Sequence, residues 1–334
     1  MSIVAQDGSG DFRSVGEAIA ALPAVEPEHP ERAIIRIKNG IYREKLRITR
    51  PCVSLIGEST AGTILTHDDC AKKPLPGGEP MNTFNSYTVY IGGPGFTAEN
   101  LTFENSAGDG ASVGQALAVY ADADRVAFRN CRFLGHQDTL FTGPLPKHPT
   151  PKGLNLVHPA LGSGEAEYLE PVRQYYEACW IQGDIDFIFG SATAVFKGCT
   201  IYVNDRNEAV NGYITAASGA AGQPFGYVFL ECRIAGAAGP HTVYLGRPWR
   251  DHAKTAFIDC WMDDLIIPAG WHNWDLLYRE KTVAYAEYNS QGPGANDVAR
   301  VAWAHTLSGP EAQRFTLANV LAGWDPSRFP SAVE

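Results

Sequence analysis

At 334 residues the chain is long enough for one large or two ordinary domains, and 45% hydrophobic with 19% charged residues gives it globular composition and ample material for a core. A net charge of -10 argues against nucleic acid as a partner, because phosphate binding needs a basic surface. No apolar run reaches the length of a membrane span, so no membrane partner is expected.

The 34 Gly and 22 Pro imply frequent turns, which suit many short strands better than long helices. The start, MSIVAQDGSGDF, has no basic segment followed by an apolar stretch, so no signal peptide is visible. A cytoplasmic location is expected if the chain is complete, and a secreted one if a leader was removed. Seven cysteines cannot all pair, and none of their spacings is a zinc pattern.

In chain order, residues 13–22 (RSVGEAIAAL) place apolar side chains at helical spacing, which predicts a helix capping one end of the fold. A repeat follows: AENLTF (98–103), FRNCRF (128–133), YEACWI (176–181), FKGCTI (196–201), FLECRI (229–234) and FIDCWM (257–262). The five cysteine copies read aromatic, two residues, Cys, one residue, apolar; the first copy has Leu101 in the Cys place. Leu101, Cys131, Cys179, Cys199, Cys232 and Cys260 lie 30, 48, 20, 33 and 28 residues apart. Such repeats, with short alternating segments between Gly-rich turns, predict an all-β parallel β-helix, a solenoid. Equivalent residues of successive turns then stack about 4.8 Å apart. The cysteines would form an inward column of small hydrophobes, reduced because stacked side chains point the same way and a disulfide needs a particular mutual geometry.

The 48-residue gap holds an insertion, residues 143–173, rich in Pro and Gly and without strand or helix period, expected to leave the coil just after Asp138. From about 264 the pattern loosens into the aromatic-rich WHNWDLLY (271–278) and a polar tail, expected to pack along the outside. The whole, 1–334, reads as one domain, and a monomer is expected.

Within the repeat, QGDIDFIFGS (182–191) sets two carboxylates into an apolar strand. Alternation predicts Asp184 and Asp186 on one face, with Ile185, Phe187 and Phe189 on the other. Asp138 lies seven residues after Cys131, as Asp186 does after Cys179, and Gly135 matches Gly183 as Phe141 matches Phe189. On adjacent turns the two carboxylates stack roughly 5 Å apart. So close, they repel, and one holds a proton, giving an acid and a base or nucleophile at one spot. Arg206, seven residues after Cys199, would extend the column with a cation. The alternative is a solvated ladder of turn aspartates.

GHQDTLFT (135–142), GDIDFIFG (183–190) and LGRPW (245–249) resemble the signature blocks of the pectin methylesterases. VAQDGSGDFRSVGEAI (4–19) and YAEYNSQGPGA (285–295) are also similar to that family, so the likeness covers most of the chain. The resemblance implies a right-handed parallel β-helix that hydrolyses methyl esters of galacturonate in pectin or methylated oligogalacturonides and releases methanol. It implies Asp186 as nucleophile, Asp138 as general acid and later base, and Gln137 and Gln115 as oxyanion donors. Arg247 would orient the nucleophile and Trp249 bind sugar; Thr83 and Arg206 fall near family substrate positions, and Phe141 and Phe189 are candidates to line the groove. No metal or other cofactor is implied. The chemistry is consistent with these roles. A guanidinium favours the ionised carboxylate, amide N–H groups suit a tetrahedral oxyanion, and methoxide needs a proton to leave. Asp184 stands where the family often has a small neutral residue, adding a negative charge beside the nucleophile.

Other readings compete. GASVG (110–114) fits a serine-hydrolase motif, but that motif needs a strand-to-helix elbow, and QALAVYADADRVAF after it reads as strand. A β-helical glycosidase could use the two aspartates, although inverting enzymes need about 6.5–9.5 Å between carboxylates. A lyase would need a denser acidic cluster, and a carbohydrate-binding β-helix would leave the aspartates inert.

Overall fold

The computed structural model describes residues 1–25, 30–144 and 172–328. The described residues wind into three sheets of 11, 7 and 8 strands, and every pairing between these strands is parallel. Apart from the first two and the last two strands, sequence neighbours fall in different sheets, whereas strands one turn apart pair. This is a parallel β-helix.

The repeat writes the interior. Phe96, Phe128, Tyr176, Phe196, Phe229 and Phe257 form one column, with successive ring centroids 5.9, 5.1, 4.7, 4.5 and 4.4 Å apart. Burying each such side chain is worth about 1.5–3 kcal/mol. Beside it runs the column Leu101, Cys131, Cys179, Cys199, Cys232 and Cys260, each at most 2% exposed, and the five thiols are free. Between the columns the chain turns a corner on one residue with left-handed backbone: Asn100, Asn130, Ala178, Gly198, Glu231 and Asp259, with φ between 46° and 60°. Asn, Asp and Gly tolerate this conformation; at Ala178 and Glu231 it costs roughly 1–2 kcal/mol each, which the stacked rows offset.

The predicted N-terminal helix is Val15–Ala20, shorter than 13–22. Ser14 and Glu17 form a capping box, and the Glu44 carboxylate accepts from the N–H groups of Val15 and Gly16. Val15 and Ala18 close the end of the core. The C-terminal region does two things where the sequence led us to expect one. Strand Ala284–Tyr288 adds a further rung to the largest sheet, and only then do Val320 and Leu321 pack outside that sheet on Ala127, Tyr175, Val195 and Val228. Of the insertion predicted at 143–173, residues 145–171 lie outside the described residues. Strand Leu140–Thr142 precedes it, and strand Arg173–Glu177 takes up the next turn. Among the described residues no helix is long and apolar enough to cross a membrane.

Candidate active site

The 7-stranded sheet carries the site on its outer face. One outward row runs in register through Arg47, Tyr90, Tyr120, Phe141, Phe189, Ala216 and Arg247. The large rings pack on each other, but Ala216 is small, and there a cavity of about 130 Å³ opens. Thr83, Phe84, Gln115, Gln137, Asp138, Asp186, Phe189, Ala216, Trp249 and Trp274 line it. A larger cavity of about 360 Å³ lies on the outer face of the 11-stranded sheet, away from these carboxylates.

The 48-residue offset holds across this turn, since Leu140 pairs with Ile188 and Phe141 with Phe189. Asp138 and Asp186 therefore sit at equivalent places on adjacent turns. Both have left-handed backbone, φ 63° and 50°, the strain that fixed functional residues often bear. That backbone breaks the alternation predicted for 182–191. The pairing with strand Gly212–Ala217 slips between Ile185 and Ile188. Phe187 accordingly joins the interior while Phe189 joins the outer aromatic cluster, so they do not share a face.

Two basic side chains complete the charge pattern. Arg247 grips Asp186 with both prongs, Nε to Oδ1 at 2.9 Å and a terminal nitrogen to Oδ2 at 2.7 Å. Its guanidinium lies between the rings of Tyr213 and Trp274, 3.8 Å from each centroid. Such sandwiching desolvates the cation and fixes its plane. Asp184 is buried away from Asp186. Its carboxylate meets His136 Nδ1 at 3.0 Å and accepts from the Ile185 N–H at 2.8 Å. The charge that Asp184 was expected to add beside the nucleophile is thus paired with His136.

Burial raises the pKa of both buried site carboxyls, unequally. For Asp186 the burial is opposed by Arg247. For Asp138 burial is reinforced by the Asp186 charge, and the carboxyl rises far above its ordinary range. No hydrogen bond or ion pair reaches the Asp138 side chain among the described residues. Of the two, Asp138 is the carboxyl pushed further toward its protonated form.

The remaining expectations divide. Thr83, Gln115, Gln137, Phe189 and Trp249 reach the cavity. Phe141 does not: it is fully buried beneath Phe84, Tyr120 and Phe189. Arg206 does not extend the column either. The register offset is 20 at Trp180–Thr200 but 27 at Ile188–Thr215, so extra residues loop out between, and Arg206 lies among them, bonded to Asn211. Trp274 and Tyr213 were missed; Trp274 lies in the segment read only as outer packing. Ser112 of GASVG sits exposed in the short helix Gly110–Val113, not on an elbow after a strand. The three-ligand cluster His67, Asp68 and Asp69 is engaged by lysines, Lys45 and Lys73 on Asp69 and Lys73 on Asp68.

The pectinesterase family model matches residues 1–145 and 161–324. Pectinesterase 31 from Arabidopsis thaliana is 37% identical over 319 residues, covering 93% of this chain and 89% of the relative. Probable pectinesterase/pectinesterase inhibitor 17 from the same plant is 35% identical over 98% of this chain, which spans 59% of that relative. Several other curated relatives are likewise about twice as long as the part they share, the chain spanning 50% or 51% of two from Citrus sinensis. Among solved structures, a pectin methylesterase from carrot superposes with TM-score 0.79 at 33% identity over 99% of this chain and 97% of that one. A pectin methylesterase in complex with a hexasaccharide gives 0.78 at 26% identity, over 97% and 98%.

Proposed function

This chain belongs to the pectinesterase family, and from that premise we propose that it is a carboxylic ester hydrolase that removes methyl esters from galacturonate units of pectin or pectic oligomers. The observation that carries the reading is the unequal carboxyl pair: Asp186 clamped by Arg247, and Asp138 one turn away, where burial and the Asp186 charge favour its protonated form, both opening into one cavity.

The ionised Asp186 attacks the ester carbonyl, and the amide N–H groups of Gln115 and Gln137 receive the oxyanion. Collapse of the tetrahedral intermediate breaks the bond to methoxide, which takes the Asp138 proton and leaves as methanol. The mixed anhydride on Asp186 is opened by water, whose proton returns to the now ionised Asp138. This regenerates both groups and frees the uronic acid, which then gives its own proton to solvent. Trp249 and Phe189 offer ring faces to the sugar, and Thr83 a hydroxyl at the rim.

The test is methanol release and base uptake from methylated oligogalacturonate, expected in equal amounts with every glycosidic bond retained. Shortened chains, unsaturated products, or binding without methanol would overturn the proposal.

A further inference from the structure

One buried charge has no part in that chemistry. Asp184 is 1% exposed, and a carboxylate so buried is costly unless paired. Its partner, His136, is half-buried and sits one turn back at the equivalent place, 48 residues earlier, as Asp138 does to Asp186. The same corner holds the backbone of the site. The His136 carbonyl accepts from the Asp184 N–H at 3.2 Å and the Thr139 hydroxyl at 3.1 Å, and the Asp138 N–H donates to Ile185 at 3.0 Å. Gln137 and Asp138 lie between these anchors.

Three carboxylates thus share two turns. Arg247 holds Asp186, His136 holds Asp184, and among the described residues Asp138 has no cation of its own. The charged groups facing His136 are Asp184 and, from the N-cap of helix Gly110–Val113, Asp109. Those facing Asp138 are Asp186, Arg247 and Asp184.

We propose that His136 and Asp184 are a positioning pair for Asp138: they anchor the Gln137–Asp138 segment, and when the imidazole loses its proton the uncovered Asp184 charge keeps Asp138 protonated further into the alkaline range. The inference rests on Asp138 being the general acid. The Asp184 contact raises the pKa of His136, so the pair is charge-balanced in acid and becomes anionic only as pH climbs. A negative charge nearby opposes ionisation of a carboxyl, so Asp138 gives up its proton later than it would beside a neutral residue. The pair broadens the working range at its upper end.

The experiment is the pH profile of kcat/KM on methylated oligogalacturonate for Asp184→Asn, His136→Gln and the double variant. Asp184→Asn keeps the shape and the bond from the Ile185 N–H, offers an amide N–H to the neutral His136 Nδ1, and removes the charge. Its alkaline limb should move about one unit lower, with activity on the acid side within a few-fold of the parent. His136→Gln leaves the Asp184 charge in place, so its limb should stay at the parental pH; the double variant should follow Asp184→Asn. A uniform loss at every pH, a limb that stays or rises in Asp184→Asn, or equal shifts in both single variants overturns the proposal. Carbon-13 titration of the Asp138 carboxyl, assigned by its absence in Asp138→Asn, separates the two layers. If that titration does not coincide with the parental alkaline limb, Asp138 is not the general acid. If it coincides but Asp184→Asn leaves it unmoved, only the positioning role fails.

Discussion

Replacing Arg247 with methionine keeps most of the volume between Tyr213 and Trp274 but removes the guanidinium that holds Asp186. In the parent, burial lifts the Asp186 carboxyl and Arg247 pulls it back. An aspartate beside an arginine is lowered by roughly 1–3 units, so without Arg247 burial acts alone and the carboxyl rises by about 2 units. The nucleophile must be ionised, so activity is lost as pH falls through its pKa. The acid limb of kcat/KM should therefore move about 2 units higher. At a fixed pH below both limbs the rate falls about 100-fold, recovering about tenfold per pH unit. Stability should follow the same titration. Breaking a buried pair costs about 3–5 kcal/mol while the remaining charge persists, and less once Asp186 takes up a proton, so urea unfolding should show a larger deficit at alkaline than at acid pH. A loss of activity that is the same at every pH, with the acid limb unmoved, would refute the argument and leave Arg247 as a packing residue.

With an activated ester whose leaving group needs no proton, Asp138→Asn should release a burst no larger than the enzyme present and then turn over slowly. Asp186→Asn should give no burst, and similar traces would mean shared roles. Trp274→Ala uncovers one face of Arg247 and removes a contact worth about 0.5–2 kcal/mol, so kcat/KM should fall roughly threefold to thirtyfold with a smaller acid-limb shift than Arg247→Met. Of seven thiols, a water-soluble disulfide reagent should titrate at most Cys52 and Cys70 in the native protein and all seven in denaturant, because burial shields and raises the pKa of Cys131, Cys179, Cys199 and Cys232. Since the proposed chemistry runs through carboxyls and amides alone, a chelator should leave methanol release unchanged, and its loss would put a cation into the mechanism.

The coil was legible because a solenoid repeats its own instructions: the aromatic and cysteine columns can be counted off the chain before any contact is known. The Asp138–Asp186 pairing was legible for the same reason, one offset serving 128–141 and 176–189 alike. Counting failed where a turn changes length. The residues looped out after Val203 put Arg206 outside the column its spacing predicted. Alternation failed at Asp186, whose left-handed backbone no periodicity encodes. Trp274 and Tyr213 escaped because they reach Arg247 from different parts of the chain, with no motif linking them. Phe141 and Phe189 share a repeat position, and only the loop carrying Phe84 and the small neighbour Ala216 make one buried and the other a wall of the cavity.

The clamp on Asp186 comes from strand Val243–Pro248, two turns further along the coil, and is backed by Trp274 beyond it. In a stacked array each rung leans only on its neighbours, so such molecules can fray from an end. Loosening that begins at the C-terminal end would strip Trp274 and then Arg247 from the site while the turns bearing Asp138 and Asp186 still stood. Inactivation on warming would then precede loss of circular dichroism, and the arginine clamp would act as a fuse whose release silences the enzyme while most of its coil remains wound.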